Sequence, residues 1–145
     1  MNIEKAKRIQ GIQCTTNHER AMADIGALWQ RAGSEGVLQP GPAAWAVYHD
    51  YQLADGGYSV TVTVGQEVPE GTSLPEGRVE VELPAQTCHC IETDGQIPSV
   101  QKAWADLWAR WPDGGPRSFV ADAERWRMGP NGVPSSAEIF VGVRS

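Results

Sequence analysis

Two stretches of the chain carry the spacing of amphipathic helices. Apolar side chains recur three or four positions apart between about residues 19 and 32, and again between residues 98 and 111. Gly33 and Gly36 end the first stretch, and Pro98 suits the first turn of the second. The pattern therefore predicts two helices.

Most of the remaining apolar positions alternate with polar ones, which is the pattern of β-strands. The run at 58–68 is typical, with Val60 and Val62 on one face and Thr61 and Thr63 on the other. The predicted strands cover residues 8–16, 45–51, 58–68, 78–83, 86–93, 118–128 and 137–143. An Asp55-Gly56-Gly57 turn joins the second strand to the third. The order predicts an α+β fold, with an antiparallel or mixed sheet and helices on one side.

The two halves of the chain resemble one another. Leu28-Trp29-Gln30-Arg31 in the first helix matches Leu107-Trp108-Ala109-Arg110 in the second, and Ile12 precedes the first block by the same interval as Ile91 precedes the second. We predict one domain over residues 1–145, made of two βαββ units at about 8–68 and 78–144. The seam between related units is a natural place for a small-molecule groove.

Composition excludes several classes of function. The 145 residues carry a net charge of −6, from 12 basic and 18 acidic side chains, without the clustered Lys and Arg that phosphate binding needs. Direct nucleic-acid binding is therefore not predicted. No apolar stretch approaches the roughly 18 residues of a membrane span, and the start of the chain lacks a signal core, so we expect a cytoplasmic protein and no membrane partner.

Glu138 is the first candidate binding residue. It lies in an apolar run at 137–143, where alternation places it beside Phe140 and opposite Ile139 and Val141. A carboxylate in a water-poor site needs a cation, hydrogen-bond donors or a proton. With aromatic rings around it, Glu138 would suit a lipophilic cation. The alternative is an exposed glutamate that keeps the strand soluble.

Glu124 is the second candidate, because it shares a strand face with Trp126. If the last two strands form a hairpin, Glu124 lies near Glu138, and two neighbouring carboxylates suit acid–base catalysis. Alternatively, Glu124 pairs with Arg125 or Arg127 at the surface.

Aromatic residues supply candidate walls for a pocket. Trp104, Trp108 and Trp111 share one helical face, a spacing more typical of a core. By simple alternation Trp45, His49 and Tyr51 share one strand face and Tyr48 lies on the other; these four suit stacking on flat ligands.

Cys88-His89-Cys90 is a weak metal motif. Strand geometry turns His89 away from both thiols, and neither Cys14 nor His18 completes a tetrahedral spacing. Three cysteines also give no disulfide framework. No phosphate-binding loop, dinucleotide fingerprint or nucleophile elbow is present, so we predict no metal and no cofactor.

The order of five segments resembles the GyrI-like small-molecule-binding domain family, which also forms the effector-binding half of AraC-type and MerR-type bacterial regulators. The segments are IGALWQR (25–31), AVYHDY (46–51), AWADLW (103–108), ADAERW (121–126) and AEIFVGV (137–143). The resemblance implies tandem βαββ modules related by a pseudo-twofold axis, and a groove that takes bulky cationic or aromatic compounds. It also implies a glutamate at the groove floor, here Glu138, with aromatic walls at Tyr48, Tyr51 and Trp126.

Three functions follow as hypotheses from the residues and the resemblance. The first is a stand-alone sensor or sequestering protein for hydrophobic, cationic or aromatic molecules, with Glu138 as the charge. Its wall is formed by Tyr48, Tyr51, Trp126, Phe140 and Trp104. The second is a hydrolase of cyclopropane-bearing toxins that uses Glu138 and Glu124. The third is a module for a protein partner such as DNA gyrase or a regulator, through Glu76, Glu80 and Glu82. Two positions depart from the usual residues of the family. Phe140 replaces a common tyrosine, and Trp126 replaces a phenylalanine or tyrosine. One wall of the expected groove therefore lacks a phenol that could hydrogen-bond a ligand.

Overall fold

The computed structural model describes residues 2–54, 56–130 and 133–144 and confirms the α+β prediction. Each predicted helix and strand is present, with ends within three residues of the expected positions. The elements are β1 Asn2–Ile3, β2 Lys7–Asn17, α1 Ala21–Ser34, β3 Ala44–Ala54, β4 Gly57–Val68, β5 Val79–Leu83, β6 Gln86–Thr93, α2 Ile97–Arg110, β7 Arg117–Met128 and β8 Pro134–Val143. The sequence pattern missed the two-residue β1, and Asp55 of the predicted turn lies outside the described residues. Within the described part of the chain, neither helix is long and apolar enough to cross a membrane.

The eight strands form one antiparallel sheet in the order β1-β6-β8-β7-β3-β4-β2-β5. One module consists of β2, α1, β3 and β4, and the other of β6, α2, β7 and β8. Corresponding strands lie at equal distances from the centre of the sheet, where β3 pairs with β7. This arrangement is the pseudo-twofold symmetry that the family resemblance implied.

The outermost strands are exchanged between the modules. The strand β1, which precedes the first module in the chain, pairs with β6 of the second module. Conversely, β5 precedes the second module and pairs with β2 of the first. Ile3 of β1 and Leu83 of β5 are both buried in one core, so the exchange ties the two modules together through apolar burial as well as hydrogen bonds.

Both faces of the sheet are packed. On the rear face, strand residues form a core that includes Ile9, Trp45, Val47 and Phe140. On the front face, α1 covers β2 and β4, and α2 lies against β6. Because each helix covers the outer strands of its own module, the central pair of β3 and β7 stays open at the front.

A β-bulge corrects the predicted faces of β3. The pairing of β3 with β4 shifts between His49 and Gln52, and Asp50 adopts a left-handed backbone with φ of 53°. The extra residue turns Tyr51 to the front, beside Tyr48, while Trp45 stays at the rear. The expectation that Tyr51 shares a face with Trp45 and His49 is therefore wrong, because strict alternation does not survive a bulge.

Gly65 provides a test of the close approach between β2 and β4. It lies opposite Gly11, and a methyl group at Gly65 would meet the backbone of Gln10. Gly65→Ala is therefore expected to lower the free energy of unfolding by about 1–3 kcal/mol. The matched control is Gly33→Ala in α1, where the added methyl group meets nothing within 4 Å and a helix favours alanine by about 0.5–1 kcal/mol. Urea denaturation measures the free energy of unfolding of both variants. Equal effects at the two sites would contradict the close approach of β2 and β4 at Gly65.

Candidate functional site

A cavity of about 550 Å³ opens at the front of the sheet, between α1 and α2 and above β3 and β7; we call it the groove. Its walls are largely apolar and aromatic. Ile25 and Trp29 contribute from α1, and Val100, Trp104 and Trp108 contribute from α2. The groove thus occupies the strip of sheet that neither helix covers.

Glu124 of β7 is the carboxylate at the floor of the groove, and only 4% of it is exposed. The Tyr48 hydroxyl and the Trp104 indole N–H donate hydrogen bonds to its Oε2, at 2.8 and 2.6 Å. The Trp126 indole N–H donates to Oε1 at 3.0 Å. All three donors are neutral, and within the described residues no basic side chain pairs with Glu124. Among the residues that the structure describes, this buried acid of the groove therefore has no basic partner.

Burial and hydrogen bonding act on Glu124 in opposite directions. Loss of water raises the pKa of the Glu124 carboxyl above its ordinary value, and the three donated hydrogen bonds lower it by less. The pKa of the Tyr48 phenol is also raised, first by burial and then by the nearby Glu124, so Tyr48 stays protonated and donates. A ligand cation placed beside Glu124 would favour the ionised carboxylate.

A second polar cluster borders the groove at the start of β7. Arg117 Nη2 donates to Asp122 Oδ2 at 2.7 Å, and the Tyr51 hydroxyl donates to the same oxygen at 2.6 Å. The backbone N–H of Gly142 donates to Asp122 Oδ1. Arg117 and Asp122 are almost fully buried, so this ion pair fixes the orientation of Tyr51 at the groove floor.

Sequence reasoning missed Arg117 and Asp122. A signal for Asp122 was present, because Asp122, Glu124 and Trp126 follow the strand period of two and therefore share a face. Arg117 carried no such signal, because a break in the pairing of β7 with β8 between Arg117 and Asp122 sets its direction.

Glu138 and Phe140 lie outside the groove, which corrects their expected position. Both project from the rear face, where Phe140 stacks on Trp45 with ring centroids 6.1 Å apart. Glu138 accepts hydrogen bonds from Arg125, at 2.7 and 3.0 Å, and from Arg127 at 3.1 Å. The two-residue alternation holds in β8, but Ile139 and Val141 face α2, so residues 138 and 140 face away from it.

The register also separates the two carboxylates that the sequence placed together. Across the β7–β8 ladder, Arg125 is the partner of Glu138 and Ile139 is the partner of Glu124. Side chains of neighbouring residues point to opposite faces of a sheet. Glu124 therefore faces the groove while Glu138 faces the rear, and the expected acid–acid pair is not formed.

Trp45 and His49, which were expected to stack on flat ligands, do not line the groove, and the remaining predicted site residues fall into two groups. The groove brings together Tyr48, Tyr51, Trp104, Trp126 and Glu124, and Trp108 lines it as well. The acidic residues Glu76, Glu80 and Glu82 are exposed, and Glu80 pairs with Arg8 at 2.9 Å. Among the described residues, no three His, Cys, Asp or Glu side chains gather closely enough to hold a metal ion.

Comparison with known proteins identifies relatives of this chain. The family model of the GyrI-like small molecule binding domain matches residues 3–131 of this sequence. Among curated proteins, no sequence matches significantly.

Three solved structures share the fold. An integron cassette protein from the mobile metagenome of Vibrio cholerae is 20% identical, with a TM-score of 0.76 over 99% of this chain and 94% of that one. SAV2435, solved with tetraphenylphosphonium bound, is 18% identical, with a TM-score of 0.72 over 100% and 92%. The C-terminal domain of EcmrR is 15% identical, with a TM-score of 0.54 over 100% and 95%.

The rear position of Glu138 predicts a structural role for its ion pairs. Glu138→Gln is expected to lower the free energy of unfolding by about 1–3 kcal/mol at pH 7, because two arginines lose a charged acceptor. The arginines hold the pKa of Glu138 below its ordinary value. The stability they give is therefore complete above the unfolded-state pKa of about 4.3 and is lost as pH falls through the lower folded-state value.

Urea denaturation at pH 7 and pH 3 measures this effect. The difference between the wild type and Glu138→Gln is expected to shrink at pH 3. Glu70→Gln, at an exposed position, is the control with little effect at either pH. A difference for Glu138→Gln that stays constant between the two pH values would contradict the ion-pair origin.

Proposed function

Because the chain belongs to the GyrI-like small-molecule-binding domain family, we propose that its groove captures lipophilic aromatic cations with Glu124 as their counter-charge. The observation that carries the proposal is the buried Glu124 carboxylate, which receives three hydrogen bonds from neutral donors and pairs with no basic side chain of the described residues. An anion in that state gains most from a cation that brings its own apolar surface.

The aromatic residues around Glu124 favour the same class of ligand. The rings of Tyr48 and Trp104 lie 5.3 Å apart and those of Trp29 and Trp126 lie 5.7 Å apart. Such rings attract a cation through their faces and also bury its apolar groups. Their polar hydrogens are already donated to Glu124, except in Trp29, so the rings hold the carboxylate in place before a ligand arrives.

The size and the mouth of the groove also support the proposal. A volume of about 550 Å³ lies within the range of roughly 300–1,000 Å³ that is usual for drug-sized ligands. Met22 and Ile97, at the two helix beginnings, border the groove and are 73% and 64% exposed. They give a lipophilic molecule an apolar entrance. The tetraphenylphosphonium complex of SAV2435, a structure of the same fold, supports a bulky aromatic cation as the probe.

The placement of the acids favours capture over two-carboxylate hydrolysis. The hydrolase hypothesis required Glu138 and Glu124 in one groove, and Glu138 lies on the rear face with Arg125 and Arg127. We therefore propose a ligand sensor or sequestering protein, and turnover is an outcome that the experiments below distinguish.

Glu124→Gln is expected to weaken tetraphenylphosphonium binding about ten- to hundredfold, because the cation loses a charged partner in a dry site. Binding of neutral triphenylphosphine oxide, which carries three of the same phenyl rings on phosphorus, is expected to change little. Tryptophan-fluorescence titration measures both affinities, and Glu138→Gln is the matched control with the same chemical change at the rear face.

Two results would contradict this proposal. An equal loss of affinity for the cation and the neutral probe would show that Glu124 acts on the shape of the groove rather than through its charge. For a chemically reactive aromatic cation, product exceeding one equivalent of protein and abolished by Glu124→Gln would show catalysis instead of capture.

Cation affinity is also expected to fall in acid. The pKa of Glu124 is raised by burial, so protonation removes its charge at a higher pH than for an ordinary glutamate, whose pKa is about 4.3. Tetraphenylphosphonium keeps its charge at every pH, so any change must come from the protein. Titrations from pH 8 to pH 4 are expected to show decreasing affinity in the wild type and a flat profile in Glu124→Gln. The same slope in both proteins would assign the effect to another group.

A further inference from the structure

A second buried charge, of opposite sign to Glu124, lines the same groove. Arg117 is 1% exposed and borders the cavity. Its Nη2 donates to Asp122 and lies 3.3 Å from the Tyr51 hydroxyl oxygen. Its Nε and Nη1 find no acceptor among the residues that the structure describes. Buried donors without an acceptor are rare and destabilising, so these two N–H groups require an explanation.

Aromatic rings hold the Arg117 guanidinium without satisfying these donors. Its Cζ lies 4.6 Å from the Trp108 ring centroid and 4.3 Å from that of Phe119. Ring faces attract the positive charge, but they offer no lone pair for a conventional hydrogen bond. The rings and Asp122 therefore fix the position of a rigid, planar donor group and leave part of its hydrogen-bonding capacity unused.

The charge balance around Arg117 indicates what kind of group would complete it. Asp122 already neutralises the guanidinium in a contact of 2.7 Å. A further full negative charge is therefore not required, and a neutral oxygen with free lone pairs is sufficient. A carbonyl, amide or phosphoryl oxygen on an aromatic molecule has this chemistry.

We propose that Arg117 is a hydrogen-bond donor subsite for an acceptor oxygen of the ligand, so that the groove selects aromatic molecules that carry such an oxygen. The inference rests on the proposed function, since it requires that the groove is the ligand site. Glu124 would select the positive charge of the ligand. Arg117 adds a second, independent criterion, which is the acceptor oxygen. Trp104 connects the two subsites, because it donates to Glu124 and its ring lies 6.0 Å from the Arg117 Cζ.

A pair of matched neutral probes tests the subsite. Triphenylphosphine oxide and triphenylphosphine sulfide have nearly the same shape, but the oxygen is a much stronger acceptor than the sulfur. The oxide is expected to bind the wild-type protein about tenfold more tightly than the sulfide, the ratio that one hydrogen bond to a charged donor gives. Calorimetric or fluorescence titration measures the ratio of the two affinities.

The double variant Arg117→Met with Asp122→Asn removes the guanidinium donors together with their buried counter-charge, and it is expected to bring the oxide-to-sulfide ratio close to one. Glu138→Gln, on the rear face, is the control in which the ratio stays near tenfold. Thermal unfolding checks that each variant is folded. If this double variant does not fold, Arg117→Leu with Asp122→Asn takes its place, because it also removes both buried charges and every side-chain donor at position 117.

Equal affinities for oxide and sulfide in the wild type would overturn the subsite, and so would a tenfold ratio that persists without Arg117. These outcomes are separate from failure of the proposed function. That failure appears as tetraphenylphosphonium binding that does not depend on Glu124, whereas the oxide-to-sulfide ratio is measured with neutral probes alone.

Discussion

The antiparallel pairing of β3 with β7 is the constraint on which the rest of this structure depends. It joins the two modules, and its register places Ala46 opposite Glu124 and Tyr48 opposite Asp122. Each helix covers the outer strands of its own module, so the front of this central pair is the strip left open. Glu124 projects from that face and therefore lines the groove, where water is scarce and electrostatic interactions are strong.

The groove stabilises two buried charges in different ways. Glu124 is held by neutral donors, and Arg117 is held by a carboxylate and by aromatic rings. The same residues form the wall and orient the charges: Trp104 contacts both centres, and Tyr48 donates to one of them. Shape and electrostatics are therefore coupled, because a change in a wall residue also changes the hydrogen bonding of a buried ion.

Periodicity predicted much of the site but not which face of the sheet it occupies. It correctly placed Glu138 with Phe140, and Glu124 with Trp126. Both faces of this sheet are packed, so alternation in the last strand does not indicate the face that the helices cover. The family resemblance likewise assigned the floor position to Glu138, and only the register of β7 against β8 shows that Glu124 occupies it.

The sequence by itself determined the helices, the long strands, their order and the fold family, because these follow from spacings and turn residues within each segment. It also indicated the chemical types that line the groove, a carboxylate with tyrosine and tryptophan. The tertiary structure decided which carboxylate faces the groove, that the bulge at Asp50 turns Tyr51 toward it, and that Arg117 pairs with Asp122. Those outcomes depend on pairing between distant segments and on which sheet face the helices cover, and local patterns carry no information about either.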